Sequence, residues 1–300
     1  MAKLRFLVSL ITQENDYQLE QAAAATSTAV RLGVDAQILY ANNDAITQST
    51  QILKAVQSGA TLQPDGIVVE PAGGTSFPQA AKAAATAGIA WAVVNREADY
   101  MSDLRSTART PVFSVSPDQR EIGRIQARQM AALLPRGGTV LYIQGPSESS
   151  AASGRVAGLD ESLPRNIRII NLKGRWTQES AFQSVSSWLR LMNSKKVSID
   201  LIAAQNDVMA MGAKQAFQEI ANESDREQWL RLPFLGVDGV PKTGQAWVRT
   251  GLLTATVIVP ATTGQALALM TQALQAKTRI PERSFCELAP FPAIEALTAK

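Results

Sequence analysis

There is no histidine in the 300 residues, and a single cysteine, Cys286. The first absence removes Ser-His and Cys-His nucleophile pairs, imidazole general bases and the usual zinc sites together. Catalysis would have to use carboxylates, lysine or tyrosine. The second leaves no partner for a disulfide within the chain, and a lone cysteine reads most simply as a small buried hydrophobe. Also missing is any apolar run near the ~18 residues that cross a membrane. Lys and Arg total 29 against 26 acids, a net charge of +3, but the basic residues are scattered. A nucleic-acid surface needs them clustered on one face. No Gly-x-Gly-x-x-Gly follows the first strand and no Walker loop occurs, so no nucleotide or other cofactor is expected.

The opening "MAKLRFLVSLI" has a short apolar stretch without a small-residue cleavage site, and reads as a strand rather than a secretory signal. The expectation is a soluble chain without membrane insertion, cytoplasmic if Met1 is the native start.

Short apolar runs alternate with longer helical patterns. Strands are predicted over 4–11, 34–40, 66–69 and 90–94, and again over 139–143, 167–172, 199–204 and 233–237. Their spacing is that of βα units feeding a parallel sheet, and they are apolar on both faces, as in sheets covered on each side. Helices are predicted over 16–32, 45–58, 76–87, 118–134, 155–163, 177–195, 207–221 and 261–277, the first closed by Gly33. Two sets of strands imply two similar Rossmann-like α/β lobes. "VFSVS" (112–116) reads as a strand crossing between them, and "LLTATVIVPATTG" as a further strand and helix returning to the first. The predicted lobes are 1–111 with 260–284, and 112–259 with 285–300, hinge-linked around a cleft.

Open α/β sheets bind ligands beyond the carboxyl ends of their strands. The residues there are polar: Asn15, Asp16 and Tyr17, then Glu70, Asn95 and Arg96, then Arg155 in the loop "QGPSESSAASGR", Trp176, Asn206, Asp207 and Asp238. Amides, carboxylates and guanidinium forks make paired hydrogen bonds, and aromatic faces pack on C–H patches, a set suited to a hydroxyl-rich small molecule. Plainer roles compete at several positions. Asp207 suits a helix N-cap, which would leave Asn206 as the last strand residue, facing the ligand. Asp238 in "VDGVP" suits a turn, and Glu70 before Pro71 a solvated loop. The loop "GPSESSAASG" reads as an ordinary mobile loop before it reads as an anion nest.

At these residues the chain resembles type I periplasmic binding proteins, especially the ribose-binding-like sugar subgroup, whose fold is shared by LacI/GalR effector domains. "AAQNDVMAMGAKQAF" matches the family's Gln-Asn-Asp-x-Met-Ala-x-Gly-Ala stretch, and "FLGVDGVP" its Gly-Phe-Asp-Gly-x-Pro turn. "AVVNRE" resembles its strand ending in Asp-Arg, and "GRVAGL" its Arg-x-x-Gly-Phe motif. The resemblance implies a hinged clamp, with contacts at Ser9, Asn15, Tyr17, Glu70, Asn95, Arg96, Arg155, Trp176, Asn206 and Asp238. It implies crossings near 110–112, 258–260 and 284–286, and a monomer serving an ABC permease or a sensor from the periplasm or cell envelope. Several positions depart from the pattern: Asn95 stands for the usual Asp, Glu70 for an amide, Val237 for an aromatic, and Val259 for or beside a Gln. The ligand is therefore expected to be a sugar or polyol differing from ribose in at least one contact. Two arginines without an acid at Asn95 also admit an acidic sugar, a tendency that Glu70 offsets.

Two other classes compete. An effector domain of a regulator would normally follow a helix-turn-helix of ~60 residues, and the chain starts at its first strand. A glycosidase-like carboxylate pair drawn from Glu70, Asp207 and Asp238 is conceivable, but no spacing requires it. The expectation is a binding protein and not an enzyme, with no metal and no nucleic-acid partner.

Overall fold

The computed structural model describes residues 3–59, 61–73, 77–192 and 198–298. The first residue of the helix expected over 76–87, the last three of that over 177–195, and the outer ends of the two expected lobes (1–2 and 299–300) lie outside them. The chain runs β1 (Arg5–Leu10), α1 (Asp16–Leu32), β2 (Asp35–Tyr40), α2 (Ala45–Val56) and β3 (Gly66–Val69). It continues through α3 (Pro78–Thr86), β4 (Ala90–Val94), α4 (Met101–Thr107) and β5 (Val112–Ser116). Next come α5 (Gln119–Leu133), β6 (Gly138–Gln144), α6 (Ser150–Ser162), β7 (Ile167–Lys173), α7 (Gln178–Met192) and β8 (Leu201–Ala204). After α8 (Asp207–Gln218) lie α9 (Glu223–Leu230), β9 (Phe234–Leu235), α10 (Gly244–Arg249) and β10 (Thr256–Ile258). The last elements are α11 (Thr263–Ala276), β11 (Arg283–Phe285) and β12 (Ala289–Phe291).

Chain contacts divide it into two units, Met1–Pro117 with Ala261–Cys286, and Asp118–Pro260 with Glu287–Lys300. The first unit holds a six-stranded sheet in the order β11-β5-β4-β3-β1-β2, every pair parallel. Alternation along each strand sends Phe6, Val8, Ala92 and Val94 to one face, against Ala25 and Ala29 of α1 and Leu267 and Met270 of α11. Leu7, Ile67, Trp91 and Val93 go to the other, against Ile52, Ala80 and Leu104 of α2, α3 and α4. Both faces are therefore apolar, which is why the strands read as unbroken runs. Trp91 and Phe113 are fully buried; each removes enough apolar surface from water to stabilise the unit by about 1.5–3 kcal/mol.

The second unit has a parallel sheet in the order β7-β6-β8-β9 and an antiparallel pair, β10 with β12. Its faces are covered by α7 and α8 on one side, and by α5 and α6 on the other. The strand expected to cross between lobes, 112–116, instead lies inside the first sheet, hydrogen-bonded between β4 and β11. The chain first changes unit after β5, at Pro117–Asp118, because the partners of β5 on both flanks belong to the first unit. β10 likewise stays in the second unit, paired to β12, and the return to the first comes with α11.

Candidate functional site

In the first unit the polar residues that follow β1, β3 and β4 are gathered around one carboxylate. Glu70 is 1% exposed. Its Oε2 accepts from Gln18 Nε2 at 2.9 Å and from Asn95 Nδ2 at 3.2 Å, and its Oε1 lies 3.6 Å from Arg96 Nη2. Tyr17 donates its hydroxyl to Asn95 Oδ1 at 3.1 Å, and Asn15 caps α1 by accepting from Tyr17 N at 2.9 Å. Asn95 sits at φ 61°, in the left-handed region that asparagine tolerates better than other side-chain-bearing residues. That turn directs its amide back toward Glu70 and Tyr17. Glu70 is thus no solvated loop residue: burial of a charge demands such partners. Ser9 is sealed in the interior, where its Oγ accepts from Gln48 Nε2 at 3.0 Å.

In the second unit Arg155 is the centre. It is 6% exposed, donates Nε to Gln119 Oε1 at 2.9 Å and Nη1 to the carbonyl of Gln205, and lies 5.4 Å from the Trp176 ring centroid. The expected placement of Arg155 on a loop is corrected: α6 begins at Ser150, with Ser149 as its N-cap, so Arg155 is well inside a helix. The small, helix-favouring residues Ala151 and Ala152 extend the helix back beyond the predicted start at 155. Trp176 stands at φ 66°, and its ring lies where a side chain at Gly145 would be, 2.3 Å from an added Cβ.

The expected division of labour between Asn206 and Asp207 is reversed. Asn206 is the N-cap of α8, accepting from Met209 N at 3.0 Å and donating Nδ2 to the Trp176 carbonyl at 3.0 Å. Asp207 is the first helical residue and is buried. Its Oδ1 accepts from Thr256 Oγ1 at 2.6 Å and its Oδ2 from Gly239 N at 2.8 Å. Its own amide donates to Val237 O at 2.7 Å, and this tie turns the carboxylate toward the 236–239 turn. Asp238, at φ 109° and 8% exposed, is held by backbone bonds on both sides, to Val257 O and from Val259 N.

Burial pushes the Asp207 carboxyl well above the usual carboxylate range, and the charge of Asp238 adds to this. The bonds from Thr256 and Gly239 and the charge of Arg155 pull the other way. The folded state therefore retains a proton that the unfolded chain releases near pH 4, so this group makes stability fall as pH rises from about 4 through its folded pKa. Asp207→Asn keeps the shape, and its amide can donate to Thr256 Oγ1 while its carbonyl accepts from Gly239. The variant is expected to be more stable at pH 7 and to lose part of the decline between pH 4 and 7. Thermal unfolding of both proteins across that range measures it, and parallel curves would refute the assignment.

What sequence reasoning missed is a set of buried glutamines, carried by helices and by the end of β8. Gln48 of α2 donates to Glu70 O at 2.9 Å, and Gln126 of α5 to Ala204 O at 2.9 Å, so each pins a strand end that bears candidate residues. Gln205 accepts from Gly145 N at 2.8 Å and donates to Ala152 O at 3.1 Å, which fixes the loop before α6. Gln18 joins Ile11 N to Glu70. The one signal available was position, since each lies on the buried face of a helix or at a strand end.

Among the described residues no group of three or more His, Cys, Asp or Glu is placed to hold a metal, and no helix is long and apolar enough to cross a membrane. A family model described as "Periplasmic binding protein domain" matches residues 6–278. The "Xylitol-binding protein" of Mycolicibacterium smegmatis is 28% identical over 205 residues, covering 67% of this chain and 52% of its own. The "Putative rhizopine-binding protein" of Rhizobium meliloti is 29% identical over 198 residues, 64% of this chain and 60% of its own. The matched stretch thus spans little more than half the length of these relatives. A solved galactofuranose binding protein superposes with a TM-score of 0.82 at 21% identity, covering 96% of this chain and 94% of its own, a likeness of fold. Two α/β units with parallel sheets, each carrying a polar cluster at its strand ends, and a family match across most of the chain lead to one statement: the chain belongs to the periplasmic binding protein domain family.

Proposed function

We propose that the chain is a solute-binding protein for a neutral, polyhydroxylated small molecule, a sugar or polyol of the kind taken by the ribose-binding-like subgroup. The observation that carries this is the cluster around Glu70. A carboxylate, two amides, a phenol and a guanidinium supply acceptors and donors side by side, and Arg96 is already faced by an acid. A neutral hydroxyl donates and accepts at once, and so uses both kinds of group. An anionic ligand would bring its charge close to Glu70, which weighs against the acidic sugars. In the second unit Arg155 and Trp176 offer a fork and a half-buried aromatic face to the same class of ligand. That relatives carry the names of xylitol and galactofuranose supports the class without choosing its member. Asn15, Tyr17, Glu70, Asn95, Arg96, Arg155, Trp176, Asn206 and Asp238 are the proposed contact set. Uptake through an ABC permease or signalling to a sensor, from the periplasm or cell envelope, is the role that goes with it.

A thermal-shift panel of pentoses, hexoses, pentitols, inositols and uronic acids tests the proposal. A ligand at ~1,000 times its dissociation constant adds about 4 kcal/mol and raises Tm by several degrees in a protein of this size. One strong shift among the neutral compounds, with none from the acids, is the expected outcome. A response confined to uronic acids would overturn the neutral reading. The family resemblance also carries the proposal that both units grip the ligand and close upon it. Small-angle scattering should then show a smaller radius of gyration with saturating ligand, and an unchanged profile would remove the clamp from the mechanism.

A further inference from the structure

The first unit holds a cavity of about 560 Å³ that shares no residue with the Glu70 cluster. It opens where β1 and β2 begin, the opposite end of the parallel strands from the carboxyl ends that bear Asn15, Glu70 and Asn95. β2 is the last strand of the sheet, so one flank of its inner face, carrying Leu39, is left for α2 and for Ser58, Leu62 and Pro64 to cover incompletely. The floor is apolar, formed by Leu7 and Leu39 on the α2 side of the sheet, and Leu62 and Pro64 continue it to the rim. Leu62 is 74% exposed there, an isolated large apolar side chain beside an apolar hollow.

The charges around it are unequal in their partners. Asp35 is paired with Lys3 at 2.5 Å, and Asp65 accepts from the backbone amide of Arg5 at 2.7 Å. The guanidinium of Arg5 is tied to two neutral carbonyls, Thr61 O and Gln63 O, which orient it without cancelling its charge. Lys54, on the α2 wall, is exposed and, like the Arg5 guanidinium, forms no ion pair among the described residues. Two cations thus border an apolar hollow whose one lining acid among the described residues, Asp35, is paired with Lys3. Asp65 keeps its charge, being bonded only to a neutral amide, but does not line the hollow. A small ligand with an apolar body and a single negative charge satisfies both features: its body covers Leu39, Leu62 and Pro64, and its charge lies by Lys54 and Arg5.

We propose that this cavity is a second ligand site, for amphipathic carboxylates, separate from the sugar-binding cluster. Octanoate, below its micellar concentration, is the probe, with 1-octanol as its uncharged counterpart, measured by titration calorimetry. Octanoate is expected to bind with one-to-one stoichiometry and roughly tenfold more tightly than octanol. Two variants at exposed positions, neither of which touches the core, locate the site. Lys54→Gln should weaken octanoate about tenfold without changing octanol, and Leu62→Glu should abolish both. The shift given by a sugar ligand should be the same in both variants. Absence of saturable octanoate binding, or binding that neither variant alters, would overturn the proposal. Octanol binding as tightly as octanoate would overturn the charge recognition at its centre.

Discussion

Gly158→Val is expected to destabilise the second unit by about 3 kcal/mol or more, a large fraction of the stability of an ordinary domain. The reason is a close crossing of α5 and α6. A Cβ added at Gly158 would lie 1.8 Å from Arg120 O, and one at Gly123 would lie 2.0 Å from Arg155 O. At Gly154 the neighbour is Gln119 Cβ, at 2.8 Å. In each of the first two cases the obstacle is backbone, so no rotamer change relieves it and the helices must move apart. Arg155 lies on α6 between two of these glycines, and its Nε partner Gln119 opens α5. Separation of the helices therefore also stretches the bond that aims the guanidinium. Urea unfolding should show the lower midpoint, and the proposed sugar site should weaken even where the variant remains folded. Ser153→Ala, on the exposed side of the same helix, should change stability by no more than about 0.5 kcal/mol. If Gly158→Val behaved like that control, the crossing would not be as close as described.

Much of this frame is legible in the sequence, for a physical reason. The strands 66–69, 90–94 and 112–116 and the helix 16–32 have the boundaries that their residues predict, because sheets buried on both faces write themselves as unbroken apolar runs. The elements that escaped lack a pattern of their own. α9 carries no apolar stripe and has no buried residue; it is held through Trp229, stacked on Phe217 of α8 with ring centroids 4.7 Å apart. β11 and β12 are three residues each and exist because β5 and β10, far away in the chain, offer edges to them. The site divides along the same line. That Glu70, Asn95 and Arg96 follow strand ends can be read from local sequence. That Gln18 reaches Glu70 across 52 positions cannot. The Asn206–Asp207 reversal is of this kind too: either residue can cap a helix, and the choice is made by Val237, Gly239 and Thr256, which claim Asp207 first.

Glu70→Ala is expected to cost about 3–5 kcal/mol in stability and to remove measurable ligand binding. Three donors converge on this carboxylate, from Gln18, Asn95 and Arg96, and the Arg96 side chain is only 11% exposed. Truncation leaves the donors and most of a buried positive charge facing a methyl group. The guanidinium then either gathers water into the space or swings away, and Asn95, held in its left-handed turn partly by Glu70, loses one of its ties. Glu70→Gln separates the two contributions. It retains the size and one carbonyl acceptor, but its own amide group must face donors, so a smaller penalty of about 1–3 kcal/mol is expected. Binding should respond differently. If Glu70 itself meets the ligand as an acceptor, the glutamine variant should still bind, more weakly, because a hydroxyl can donate to its carbonyl. If Glu70 only orients Arg96 and Asn95, both variants should lose binding in proportion to their loss of stability. Calorimetric titration with the sugar found in the panel, beside urea unfolding of each variant, distinguishes the two. Full binding by a folded Glu70→Ala protein would show that the cluster around this carboxylate is structural and that the ligand is held elsewhere.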